Sequence, residues 1–171
     1  MRLRTDPAIR QALHDLYLAL YRAKQVCPED FSDGRLTTIQ TAIMGIKTFG
    51  WRVIGITREA LDLLATENFN KHKLPRRLCR GHVVARIETT RLLFDREEPM
   101  QLEDFFEAFL RNDTTVIMLN EQNRHGTPFP QFVEIDNPNG DLFPNGSLMG
   151  WGHGNKEREY LRSLHSRQLP I

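Results

Sequence analysis

Leu102-Glu103-Asp104-Phe105-Phe106-Glu107-Ala108-Phe109-Leu110-Arg111-Asn112-Asp113-Thr114-Thr115-Val116-Ile117-Met118-Leu119 carries two periodicities side by side. Leu102, Phe105, Phe106, Phe109 and Leu110 recur at helical spacing, and Glu103, Asp104 and Glu107 fall on the opposite face, which predicts an amphipathic helix. Thr114–Leu119 is a short apolar, β-branched run, which predicts a strand. The strand runs into Asn120-Glu121-Gln122-Asn123-Arg124-His125, which reads as a short helix ended by Gly126. Helix and strand in one stretch, without internal repeats, make the fold class α+β.

Toward the N-terminus, Asp6-Pro7 reads as an N-cap with a first-turn proline. Ile9, Leu13, Leu16, Tyr17, Leu20 and Ala23 continue that helix until Cys27-Pro28. Ser32-Asp33-Gly34 reads as a loop, and Thr38, Ile39, Ala42, Ile43 and Ile46 as the inner face of a second helix closed by Gly50. Trp51–Ile56 reads as a short strand or extended link. Thr57 then caps a helix with Glu59 in its first turn and Ala60, Leu61 and Leu64 inward. Helix, link and helix also match a helix-turn-helix layout, although such pairs more often only pack a core.

Toward the C-terminus, Gly126–Gly146 is rich in Pro, Gly and Asn and reads as a long irregular segment. Ser147–Trp151 is a candidate last strand, and Asn155 a candidate cap for a helix through Tyr160, Leu161 and Leu164. The expected organisation is a helical N-terminal part, 1–67, and an α+β candidate catalytic part, 68–171, within one compact unit. The second part is expected to be a small β-hairpin/helix core, with the irregular segment before a C-terminal helix.

The chain has 171 residues, 40% hydrophobic and 26% charged, with a net charge of +1, values of an ordinary globular domain. Cys27 and Cys79 are its only cysteines, which argues against a disulfide framework or a Cys-based zinc site. No apolar run is long enough to span a membrane and no secretory leader is legible, so no membrane partner and a cytoplasmic location are expected. Glycine-rich phosphate loops and a Gly-x-Ser-x-Gly elbow are both missing.

Charge is uneven. Lys71, Lys73, Arg76, Arg77, Arg80 and Arg86 fall in one segment without an acidic residue, a pattern suited to a polyanion such as nucleic acid. Leu78–Arg86 reads as a strand in which Gly81 permits close backbone approach. His82, beside that glycine, is placed to act as a general base, with Arg80 and Arg86 gripping an anion. Asn123, or Asn120 as second choice, offers an amide oxygen to a hard divalent cation at the strand–helix junction. Together these residues suit metal-assisted hydrolysis of a phosphodiester. His153, bracketed by glycines, reads as part of a turn.

Arg80-Gly81-His82 on a strand, with a later strand and an Asn-bearing helix, resembles the ββα-metal (His-Me finger) nucleases. The similarity is to their non-specific Asp-Arg-Gly-His branch, whose aspartate position is Cys79 here. The resemblance implies one divalent ion, usually magnesium, with His82 as the base and Asn123 or Asn120 as ligand. The function expected is a metal-dependent endonuclease, restriction- or defence-related, acting on DNA rather than RNA and suited to a homodimer. The alternatives are a non-catalytic nucleic-acid-binding or regulatory module contacting the backbone through Lys71, Lys73, Arg76 and Arg77, and a protein-interaction domain using Gly126–Gly146.

Overall fold

The computed structural model describes residues 5–44, 51–124, 126–146 and 150–168. The protein is mixed α and β, with six helices and a four-stranded mixed sheet among the described residues, about 53% helix and 13% strand. The chain forms two compact units, 1–51 with 84–114 and 52–83 with 115–171. The division therefore falls at three points along the chain rather than once near Asn68.

The first unit is helical: α1 (Pro7–Val26), α2 (Asp33–Met44), α4 (Arg86–Phe94) and α5 (Leu102–Asn112). Asp6 caps α1 as expected, its carboxylate accepting from the Ala8 and Ile9 amides with Pro7 in the first turn. An aromatic core forms where Tyr17 stacks on Phe105 at 4.6 Å between centroids and Phe106 meets Phe105 edge-on. The Tyr17 hydroxyl donates to the Leu93 carbonyl (2.8 Å) and accepts from the Met100 amide (2.9 Å), so this buried phenol is fully engaged.

Two expectations change here. Asp33 and Gly34 are helical, because the Asp33 carboxylate ties α2 to Lys24 and Arg91 at 2.9 Å each. The buried residues of α2 are Leu36 and Gln40, whereas Thr38 and Ala42 are exposed. The Gln40 amide oxygen accepts from Thr90 in α4 at 2.9 Å, which makes burial of the polar residue affordable. Ile46 and Gly50 lie outside the described residues.

The second unit holds β1 (Arg52–Ile56), α3 (Arg58–Thr66), β2 (Leu78–His82), β3 (Thr114–Leu119, its first residue counted with the other unit), β4 (Val133–Glu134) and α6 (Asn155–Gln168). The strand order is β2-β3-β1-β4. The outer pairs β2–β3 and β1–β4 are antiparallel, so the mixed character resides in the central β3–β1 pair. The Trp51–Ile56 link is thus an interior strand, and the helices before and after it belong to different units, which removes the helix-turn-helix reading. Thr57 caps α3 through the Ala60 amide, and Ala60, Leu61 and Leu64 are fully buried. They join Val53, Ile56, Ile117, Phe143, Leu161 and Leu164 in one core.

The Gly126–Gly146 segment is irregular apart from β4 and is organised by Asn137. Its amide donates to the Val53 and Leu142 carbonyls and accepts from the Leu142 amide, each at 3.0 Å. A side chain that completes backbone pairing in this way replaces the ladder that the segment lacks. Asn145 forms an isolated bridge with Trp151, and Ser147–Met149 lie outside the described residues. The first turn of α6 is held by Glu157, which accepts from the Gly154 amide at 2.7 Å.

Candidate nucleic-acid interface

Three residues between α3 and β2 take left-handed backbone angles: Asn68, Phe69 and Arg76, with φ of 51°, 57° and 57°. Such angles are costly for residues other than glycine and persist only where the surroundings over-determine them. Phe69 is anchored by burial in the core and by its amide bond to the Leu64 carbonyl at 2.7 Å. Asn70 caps the turn Lys71–Lys73 by accepting from the His72 amide. Asn120 then clamps the far end: its side-chain amide donates to the Arg76 carbonyl, and its backbone amide donates to the Arg77 carbonyl at 3.0 Å.

This rigid loop leaves His72, Lys73, Arg76 and Arg77 exposed. Lys73 stands 3.6 Å from Glu67, with both groups in solvent, a pair of small energetic consequence. Lys71 is different. Its ammonium donates to the Trp151 carbonyl at 2.9 Å and stands 3.8 Å above the indole centroid. Burial, reinforced by the Arg80 charge, pushes its pKa below the ordinary lysine value.

The strand carrying Arg80, Gly81 and His82 ends at His82, and Arg86 opens α4 in the other unit. Arg80 is buried and donates to Asn145 Oδ1 at 2.6 Å and the Gly150 carbonyl at 2.9 Å. Arg86 pairs with Asp113 at 2.8 Å and lies over the Trp51 ring at 4.7 Å. Both guanidiniums of the expected phosphate grip therefore serve packing networks of their own units.

The register Arg80↔Ile117, Gly81↔Val116 and His82↔Thr115 decides the geometry of the expected metal site. Alternation puts Arg80 and His82 on one face of β2 and Cys79 and Gly81 on the other. Asn123 lies on the second face: its Oδ1 would be 3.2 Å from a Cβ placed on Gly81, and its side chain hydrogen-bonds Cys79. Burial raises the Cys79 thiol pKa and the Asn123 bond opposes that rise. The close approach expected at Gly81 is thus made by Asn123 and by Met118, which a Gly81 Cβ would meet at 2.6 Å. Asn123 thus packs beside Gly81, the neighbour of His82 along the strand. Asn120 is occupied with Arg76. Among the described residues no group of three or more His, Cys, Asp or Glu side chains could hold a metal ion.

Two cations not singled out from the sequence join the basic loop. Arg158 and Arg162 stand one turn apart on α6 and line a cleft together with Lys73. Their i,i+4 spacing was the available signal, and it is the spacing of any solvated helix face. His153 is buried, with Nε2 2.7 Å from the Phe69 carbonyl, so it supports the strained loop from beneath. Among the described residues no helix is long and apolar enough to cross a membrane. No protein-family model, curated protein or solved structure matches the chain.

Proposed function

We propose that the protein is a non-catalytic nucleic-acid-binding module that holds the DNA backbone through the Lys71–Arg77 loop. The observation that carries this reading is the loop itself: of its four cations Lys71, Lys73, Arg76 and Arg77, the last three are exposed on a backbone clamped at both ends. Preorganised cations lose little entropy on meeting phosphate and gain by releasing its counterions. Each phosphate contact contributes about −0.9 to the slope of log affinity against log salt. Arg76→Gln/Arg77→Gln is therefore expected to flatten that slope by about 1.8 on a short duplex, with an unchanged circular dichroism spectrum. An unchanged slope, or no DNA binding even at low salt, overturns the proposal.

A second reading, the magnesium-dependent endonuclease, is favoured by one observation: antiparallel β2–β3 is followed by the turn Asn120–Gln122 and then Asn123. That order matches the layout the His-Me finger resemblance implies. Plasmid incubated with magnesium or manganese separates the two readings. Cleavage by the wild type that His82→Ala abolishes supports the nuclease; binding without cleavage supports the module.

A further inference from the structure

The cleft beneath the basic loop measures about 240 Å³ and is lined by Asn68, Asn70, Lys73, Asn155, Arg158 and Arg162. Arg158 and Arg162 make no ion pair with any described residue. Arg158 donates through one Nη to Asn70 Oδ1 at 3.2 Å, and its buried Nε has no acceptor. Arg162 is only loosely placed over the Phe69 ring, at 5.8 Å. The Asn70 oxygen is already used twice, by the His72 amide and by Arg158, which fixes the flip of that amide and leaves its two N–H donors unused. The cleft thus gathers guanidinium, ammonium and amide donors around a space too small for a whole drug-sized ligand. Three cations against two carboxylates, with Glu67 already beside Lys73, leave the two guanidiniums as the donors available to a compact oxyanion.

Glu67 and Glu159 line the same cleft. A phosphodiester backbone running through it would pass both carboxylates as a monoanion per phosphate. A chain end brings a single phosphomonoester with nearly two charges and three acceptor oxygens to the two arginines. Building on the nucleic-acid reading above, we infer that this cleft is a subsite for the terminal phosphate of a nucleic-acid strand. Arg158 and Arg162 grip the phosphoryl oxygens, and the Asn70 amide adds a neutral donor beside them.

The test is fluorescence anisotropy with one oligonucleotide sequence carrying a 5′-phosphate, a 3′-phosphate or hydroxyls at both ends. One phosphorylated form is expected to bind about tenfold more tightly than the hydroxyl form, and the better arm identifies the end recognised. Arg162→Gln, at an exposed position that leaves the Asn70–Arg158 bond in place, is expected to erase most of that preference. Arg76→Gln/Arg77→Gln is expected to weaken all three ligands alike and keep the preference. Thermal unfolding of each variant checks that it is folded. Equal affinity for the three ligands, or a preference that survives both Arg162→Gln and Arg158→Gln/Arg162→Gln, overturns the inference while leaving the binding module standing. No binding of any ligand at low salt overturns both.

Discussion

Replacing Asp113 by alanine removes the anion at the centre of the first unit. Asp113 is 4% exposed; its Oδ1 accepts from Arg86 at 2.8 Å and its Oδ2 from the Trp51 amide at 2.7 Å. Arg86 also donates to Thr41 Oγ1 at 3.2 Å and is covered by the Trp51 ring. Burial lowers the Arg86 pKa, and the Asp113 charge is what opposes that effect. In Asp113→Ala the guanidinium stays desolvated while losing the Asp113 counter-charge, and the Trp51 amide loses the Oδ2 acceptor. Stranding one member of a buried pair costs about 3–5 kcal/mol, against a total of about 5–15 kcal/mol for a whole domain. Urea unfolding followed by circular dichroism should therefore show a large fall in midpoint. The double variant Arg86→Met/Asp113→Leu should recover much of the loss, because it removes both charges, retaining a deficit of about 1–3 kcal/mol for the Trp51 amide. A loss below about 1 kcal/mol in Asp113→Ala, or a double variant as unstable as the sum of the singles, would refute the view that this pair holds the helices through mutual neutralisation.

Two further outcomes are expected. Burial lowers the His153 pKa below the ordinary imidazole value, and its Nδ1 has no acceptor to stabilise a second proton. The unfolded chain therefore takes up that proton at higher pH than the native one does. Stability should fall as pH drops from about 6.5 toward the lower native value and level off beneath it, and His153→Gln should flatten this slope in thermal melts. Asn137→Ala leaves two carbonyls and one amide unpaired, which should cost about 2–4 kcal/mol and raise hydrogen exchange at Leu142 specifically; unchanged exchange there would count against its organising role.

The elements legible from sequence were those whose apolar pattern matches their burial. α5 and β3 satisfy that condition: Phe105, Phe106 and Phe109 face the core, and Val116, Ile117 and Met118 are fully buried. Helix α4 is not legible because its apolar pattern does not match its burial: Ile87 and Leu92 are exposed, whereas Thr89 and Thr90 are buried beside Leu93 and Phe94, Thr90 with Gln40 and Thr37 as partners. Strand β2 was read four residues too far, since Val83, Val84 and Ala85 have strand propensity but lead into α4. Strand β4 pairs over only two residues, too few to leave a period-two signal. At the candidate site, the basic run and the importance of Gly81 were legible as local composition. The face on which Asn123 would sit was not, because it depends on a register between strands separated by two helices. For the same reason Arg158 and Arg162 gave no sign that the fold returns them to Lys73.

The order of the strands also constrains when the protein can become whole during synthesis. β1 is the first strand made, yet its sheet neighbours are β3 and β4, which emerge long afterwards. Helices α1 and α2 likewise wait for α4 and α5, encoded beyond the first strands of the other unit. No N-terminal fragment ending before about residue 114 can therefore complete the first unit, and none can complete the second before α6 is made, so the nascent chain must carry uncovered apolar surface until most of its length has left the ribosome. A truncation library should accordingly give no folded second unit until the chain extends through α6, which supplies Leu161 and Leu164 to its core.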